Sequence, residues 1–295
     1  MRKLTGRIVK GLGGFYYVDT GADGIYECRG RGIFRKDNTK LLIGDIVDLE
    51  VTHDQDMEGS IVKLYPRKCV LRRPEVSNVD QAVVVFAIHE PEPSHVLLDR
   101  FLISMKKLDI ETILVWNKAD LAGEEELGRE KNDYRDAVSS VSVISARGKL
   151  GMEELKARLS GKISLIAGPS GVGKSTMLNA LCPGANAGTG EISRKMKRGK
   201  HTTRHAELFK LGDDSYLLDT PGFTALDLED MDADEVKVYY PEFYPYEGKC
   251  RFNPCSHTHE PSCAVRQAAE DGEIPAIRYD NYKQIYVKQK ESRRY

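Results

Sequence analysis

The sequence predicts a central α/β domain with a small all-β barrel ahead of it and a short helical, cysteine-bearing domain behind it. Three observations carry that expectation. Short β-rich runs separated by Gly, Asp and Asn turns fill the first 66 residues. Continuous apolar runs alternate with helical periodicity from Asp80 onward. Three cysteines and two histidines fall within the fourteen residues from Cys250 to Cys263. The corresponding boundaries are 1–66, 67–226 and 227–295.

A chain of 295 residues with 40% hydrophobic and 30% charged content can bury a sizeable core and has the composition of an ordinary soluble protein. Met1-Arg2-Lys3 begins basic but leads into no apolar segment, and no later run approaches a membrane span, so the expected location is the cytoplasm, with no membrane association. The net charge of -1 conceals Arg and Lys clusters in the first forty residues, between Arg194 and Arg204, and in the C-terminal tail. Such local surfaces matter more for partners than the total.

In the barrel the expected strands are Leu4 to Val9, Gly14 to Thr20, Ile25 to Arg29, Asp45 to Val51 and Gly59 to Tyr65. Five strands suit an OB-fold. Arg2, Lys3, Arg7, Lys10, Arg29, Arg31, Arg35 and Lys36 are interleaved with Phe15, Tyr16, Tyr17 and Phe34, a mixture of cations and ring faces that a nucleic-acid groove uses. A barrel with solvated charges and aromatics turned into its core accounts for the same composition.

After a basic linker from Pro66 to Pro74, the continuous run from Asp80 to Ile88 reads as a strand buried on both faces. Ser94 caps a helix with Val96, Leu97, Phe101, Leu102 and Met105 at helical spacing, and a second strand, Glu111 to Trp116, ends in Asn117-Lys118-Ala119-Asp120. That N-K-x-D pattern suits guanine, because the Asp120 carboxylate accepts from the N1–H and 2-amino donors that adenine lacks. Ser145-Ala146-Arg147, at the end of the next β-run, has the form of a loop that offers a backbone N–H to the base oxygen.

Gly168-Pro169-Ser170-Gly171-Val172-Gly173-Lys174-Ser175-Thr176 fits the Walker A pattern between the strand-like Ile163 to Ala167 and the helical Met177 to Leu181. Its glycines let backbone N–H groups and a helix N-terminus face phosphate oxygens. Lys174 is expected on the β- and γ-phosphates, and Ser175 in the Mg²⁺ shell. Gly199-Lys200-His201-Thr202-Thr203 supplies a switch I threonine, either Thr202 or Thr203. Asp219-Thr220-Pro221-Gly222 fits D-x-x-G, with Asp219 holding Mg²⁺ through water and Gly222 sensing the γ-phosphate.

Base-recognition elements thus precede the phosphate loop and both switches, which is the order of a circularly permuted P-loop GTPase domain. The permutation makes D-x-x-G the exit into the C-terminal domain, so nucleotide state can be transmitted there mechanically. Cys250, Cys255, His257 and Cys263 meet the four-ligand requirement of one structural Zn²⁺, with His259 as a competing imidazole. Ala264 to Glu270 and Ile277 to Lys290 are expected to be helical, with Tyr279, Tyr282 and Tyr286 on one packing face.

These motifs, in this order and over essentially the whole chain, resemble the ribosome small subunit-dependent GTPase A family. The resemblance implies GTP hydrolysis to GDP and phosphate, stimulated by the 30S ribosomal subunit, with binding to 16S rRNA during late maturation; a monomer is expected. Phe223 stands where Ras-like enzymes carry a water-orienting glutamine and cannot hydrogen-bond water, so either His201 or RNA must supply the missing group. A nucleotide-gated RNA-binding module with negligible turnover is the alternative, and an ATP-dependent phosphotransferase is disfavoured by Asn117 and Asp120.

Overall fold

The computed structural model describes residues 2–37, 39–72, 75–183, 185, 206–219, 228 and 231–292. The strands are β1 (Lys3–Leu12), β2 (Phe15–Asp19), β3 (Ile25–Gly30), β4 (Ile46–His53), β5 (Glu58–Leu64), β6 (Val70–Arg72), β7 (Glu75–Ser77), β8 (Gln81–Ala87), β9 (Glu111–Asn117), β10 (Ser140–Val143), β11 (Ile163–Ala167), β12 (Glu207–Gly212) and β13 (Ser215–Asp219). The helices are α1 (Gly32–Lys36), α2 (His95–Lys107), α3 (Glu124–Tyr134), α4 (Met152–Arg158), α5 (Lys174–Leu181), α6 (Ala264–Glu270) and α7 (Ala276–Ser292). Two compact units result: Met1–Ala82 with Met152–Ala167 and Lys174–Phe223, and Val83–Gly151 with Gly168–Gly173 and Thr224–Tyr295.

In the first unit β1 pairs antiparallel with both β2 and β4, while β3 pairs parallel with β5 and β4 antiparallel with β5. The ring β1-β2-β3-β5-β4 therefore closes and leaves no free edge. Alternation along the strands turns Ile8, Val18, Tyr26, Cys28, Val47, Leu49 and Ile61 inward to form its core. Phe15, Tyr16, Tyr17 and Phe34 are half-buried rather than exposed, with Tyr16 and Phe34 packed against that core. The basic linker contains an element that its composition hides: β6 and β7 form a two-stranded ribbon. Asp45 pins it, taking Arg67 Nε at 2.7 Å and the Ser77 hydroxyl at 2.7 Å. The β12–β13 hairpin pairs with β11 through β13 and with β1 through β12.

In the second unit the strand order is β10-β9-β8, and β8 is buried along its whole length, as its apolar run requires. Ser94 caps α2 by accepting from the Leu97 N–H. The buried residues of α2 differ from the expected stripe. Leu98, Asp99, Phe101, Leu102, Ile103, Ser104 and Met105 are buried, whereas Val96 and Leu97 are only half-buried. A second packing surface causes the shift, because α7 lies against this helix. Two 3₁₀ segments, Ala233–Tyr239 and Pro241–Tyr246, with α6 and α7 complete the C-terminal core around Val236, Tyr240, Phe243 and Tyr282. Tyr279, Tyr282 and Tyr286 are all buried in it. No helix among the described residues is long and apolar enough to cross a membrane.

Candidate nucleotide site and metal centre

Asn117 ends β9, and the chain then turns through Lys118 in the left-handed region at φ 62°. Burial to 2% exposure obliges the Asn117 amide to find partners. Its Nδ2 donates to the Val172 carbonyl at 2.8 Å, and its Oδ1 accepts from the Ala146 N–H at 3.1 Å. One side chain therefore fastens the Ser145 loop to the Gly168–Gly173 loop. The Ala146 N–H, one of the backbone donors of the loop expected to meet the base oxygen, is given to Asn117. Asp120 is exposed. The Ser145 hydroxyl, more than any other group, holds its carboxyl below the usual carboxylate range, with Arg147 and Lys118 adding to the effect. It stays ionised and acceptor-only. Lys118 Nζ donates to the Glu90 carbonyl.

The glycines of the loop have steric reasons as well as torsional ones. Gly173 sits at φ +94°, and a Cβ there would lie 2.3 Å from Asn117 Nδ2. Gly168, at φ +137°, would put a Cβ 2.2 Å from the Val85 carbonyl oxygen. Val172 is buried, whereas Ser170 and Gly171 are exposed and Pro169 is half-buried.

In the first unit Lys174 opens α5, followed by half-buried Ser175 and Thr176. Burial depresses the Lys174 ammonium below its ordinary range, and the Asp219 carboxylate pulls it the other way. A partly desolvated cation beside one carboxylate is disposed to take a further anionic partner. Asp219 ends β13, flanked in register by Ile166 and Glu207. His201, Thr202, Thr203 and Gly222 lie outside the described residues.

The cysteine cluster assembles in the second unit. The ligand atoms of Cys250, Cys255, His257 and Cys263 all lie within 4.8 Å of one another. Cys250 Sγ is 3.5 Å from His257 Nδ1 and 3.9 Å from Cys263 Sγ, and His257 Nδ1 is 3.4 Å from Cys263 Sγ. Bonds of about 2.1–2.3 Å in a tetrahedron give edges of about this length, so the donor set fits a metal ion that takes nitrogen and sulfur. His259 is exposed and turns Nδ1 to the Thr258 hydroxyl, outside the set. Backbone N–H groups of Ala264 and Arg266 donate to Cys250 and Cys263. The tyrosine stripe of α7 supports the loop, since the Tyr279 hydroxyl donates to the His257 carbonyl at 2.9 Å.

A third feature is a groove of 690 Å³ on the barrel, lined by Phe15, Tyr16, Arg29, Arg31, Phe34 and Lys40 among others. The Arg29 guanidinium lies 4.3 Å over the Phe15 ring. Arg31 pairs with Glu50 and Lys40 with Glu75, which tempers the positive charge of the rim.

Sequence reasoning missed a buried polar cluster. Arg278 of α7 is 1% exposed and sits between Asp99 of α2 and Glu242; its Nε donates to Glu242 at 2.6 Å, and Nη1 donates to Asp99. The Tyr240 hydroxyl also donates to Asp99, at 2.9 Å. The available signal was an aspartate inside an otherwise apolar helical face.

The permuted motif order, the Asn117-linked loops, the closed barrel and the cysteine cluster together define a circularly permuted GTPase with an N-terminal barrel. The family model described as RsgA GTPase matches residues 64–229, and that described as RsgA N-terminal domain matches residues 5–61. The chain belongs to the RsgA family and is a GTPase. It is 48% identical to the small ribosomal subunit biogenesis GTPase RsgA of Carboxydothermus hydrogenoformans, with 95% of each chain covered. To the protein of the same name from Caldanaerobacter subterraneus it is 46% identical, covering 100% of this chain and 99% of the other. Among solved structures, YjeQ from Thermotoga maritima superposes with a TM-score of 0.78 at 36% identity, covering 98% of this chain and 99% of that one. YloQ, described as a circularly permuted GTPase, gives 0.77 at 33%, with 98% and 96% covered.

Proposed function

We propose that this chain is an assembly factor for the small ribosomal subunit that binds the 30S particle through 16S rRNA and hydrolyses GTP on it. The observation that carries the nucleotide half of this reading is the Asn117 bridge from the Ser145 loop to Val172, which joins base recognition to phosphate binding. Near-full-length likeness to proteins named small ribosomal subunit biogenesis GTPase supports the ribosomal half.

In this reading Asp120 accepts from guanine, with Asn117, Lys118, Ser145 and Ala146 shaping the base pocket. Residues Gly168 to Gly173 wrap the phosphates with backbone N–H groups, and Lys174 neutralises the charge that develops on them. Ser175 and Asp219 hold Mg²⁺, with Thr202 or Thr203 and the Gly222 N–H completing the γ-phosphate environment. The ion, when bound, neutralises developing phosphate charge. His201, or a group from RNA, orients the water that Phe223 cannot. Cys250, Cys255, His257 and Cys263 hold one structural Zn²⁺, the closed set leaving no open position. The barrel groove, with Arg29 stacked on Phe15, is the rRNA-binding face. The chain acts in the cytoplasm as a monomer, with its barrel, GTPase and zinc domains bounded at 1–66, 67–226 and 227–295.

Co-sedimentation tests the ribosomal half. With a non-hydrolysable GTP analogue the chain should pellet with small subunits and not with large ones, and GDP should release it. Absence of small-subunit binding in both nucleotide states would contradict the reading. Phe223 favours one second reading, a GTP-gated RNA-binding module that binds in this way and turns over negligibly.

A further inference from the structure

Lys10 of β1 stands across from Glu207 of β12, and Glu207 stands across from Asp219 of β13. Paired residues on antiparallel strands share a face, so one row of side chains runs from the barrel to the site carboxylate. Lys10 Nζ reaches Glu207 Oε1 at 3.1 Å. Lys210 and Tyr216, cross-strand partners further along the same hairpin, both reach Asp19 at the end of barrel strand β2. Lys210 Nζ lies 3.0 Å from Asp19 Oδ2, and the Tyr216 hydroxyl donates to that same oxygen at 3.0 Å. The Gly21 N–H takes the other oxygen at 2.8 Å, and the Arg7 guanidinium lies 5.6 Å over the Tyr216 ring. Asp19 is 5% exposed, so its charge is tolerable only because these donors surround it.

Among the described residues the ladder between β1 and β12 is a single pair, and the polar contacts add to its hold on the register. β13 is held by its ladder to β11, so β12 is the strand of the hairpin whose hold on the barrel depends on these contacts. Lys10 fixes the end that carries Asp219, and Asp19 fixes the other. Lys10 also offsets the charge of Glu207, which on that face opposes the charge of Asp219. We infer that Lys10 and Asp19 are positioning residues for GTP hydrolysis, acting from the barrel through the β12–β13 hairpin on Asp219. The inference rests on the reading of Asp219 as a Mg²⁺-holding residue. It makes barrel and catalytic site one mechanical unit, so a ligand that displaces β1 or β2 changes turnover without touching nucleotide.

The test compares full-length Asp19→Asn, Lys10→Met and Lys10→Arg with wild type. Mg²⁺-dependent GTP turnover and GDP affinity without Mg²⁺ are measured on each. Lys10 is 38% exposed at its side chain, so its replacement leaves the barrel core intact even if Asp19→Asn does not fold. Asp19→Asn and Lys10→Met should lower kcat about tenfold with GDP affinity within about twofold of wild type, and Lys10→Arg should retain the wild-type kcat. Asp19→Asn should also raise the Mg²⁺ concentration for half-maximal turnover about threefold. A kcat within twofold of wild type in the folded variants, or GDP affinity that falls in step with kcat, would overturn the inference. Loss of Mg²⁺ dependence in the wild type would instead refute the reading of Asp219 on which it stands.

Discussion

The side-chain amide of Asn117 donates to the Val172 carbonyl at 2.8 Å, so the loop after β9 and the Gly168–Gly173 loop share one fastening. Asn117→Ala removes that bond and the one to Ala146 and leaves two backbone groups without their partner. At about 1–3 kcal/mol for each of the two unsatisfied buried groups, GTP and GDP affinity should fall about 30-fold or more and in parallel, read by fluorescent-nucleotide titration. A change confined to one of the two nucleotides would argue against a shared fastening.

Gly173→Ala meets the same residue from the other side. The added methyl would sit 2.3 Å from Asn117 Nδ2 at a φ of +94°, so neither loop keeps its position. Nucleotide binding should be lost while far-UV circular dichroism is unchanged. Retained micromolar affinity would contradict the packing described.

Arg278 holds two buried carboxylates, Asp99 and Glu242. Arg278→Met strands both, and loss of one partner from a buried ion cluster costs about 3–5 kcal/mol. Denaturant unfolding should show a destabilisation of that size, largely restored when Asp99→Asn and Glu242→Gln are added. A loss below about 1 kcal/mol would mean that solvent reaches the cluster.

Chelation should release one equivalent of zinc and lower the melting temperature, and Cys255→Ser should do the same without a chelator. His259→Ala should keep the metal, since that imidazole faces Thr258, whereas His257→Ala should lose it. Metal retained by His257→Ala and lost by His259→Ala would invert the ligand assignment.

His89 lies between Glu92 and Glu126, at 2.9 and 3.2 Å. The hydrogen bond to Glu92, then that to Glu126, raises its pKa above the ordinary value, and burial opposes the shift only in part. A raised folded pKa gives stability that is complete below about 6.5 and disappears as pH rises through the folded value. Wild type should therefore melt above His89→Gln at pH 6 and level with it at pH 9. An equal gap at both values would show that the charge is not involved.

Short chemical patterns were readable because each needs a fixed residue at a fixed spacing. Gly168 to Thr176, Asn117 to Asp120 and the run from Cys250 to Cys263 are of this kind, and so are the alternating strands of the barrel. Non-local pairing was not readable. Closure of the barrel through β1–β4, and the parallel β3–β5 pair, depend on register that no single segment encodes. The β6–β7 ribbon was hidden by its Arg, Lys and Pro content. Asp99 and Arg278 are 179 residues apart, and neither position names its partner. The choice of His257 over His259 agrees with the cluster of ligand atoms, although spacing alone admits both.

The most direct test of the account is steady-state GTP hydrolysis measured alone, with purified small ribosomal subunits, and with purified large subunits. The account predicts slow turnover alone, a rise of at least about tenfold with small subunits, and no rise with large ones. Turnover unchanged by small subunits, or raised equally by both, would contradict it.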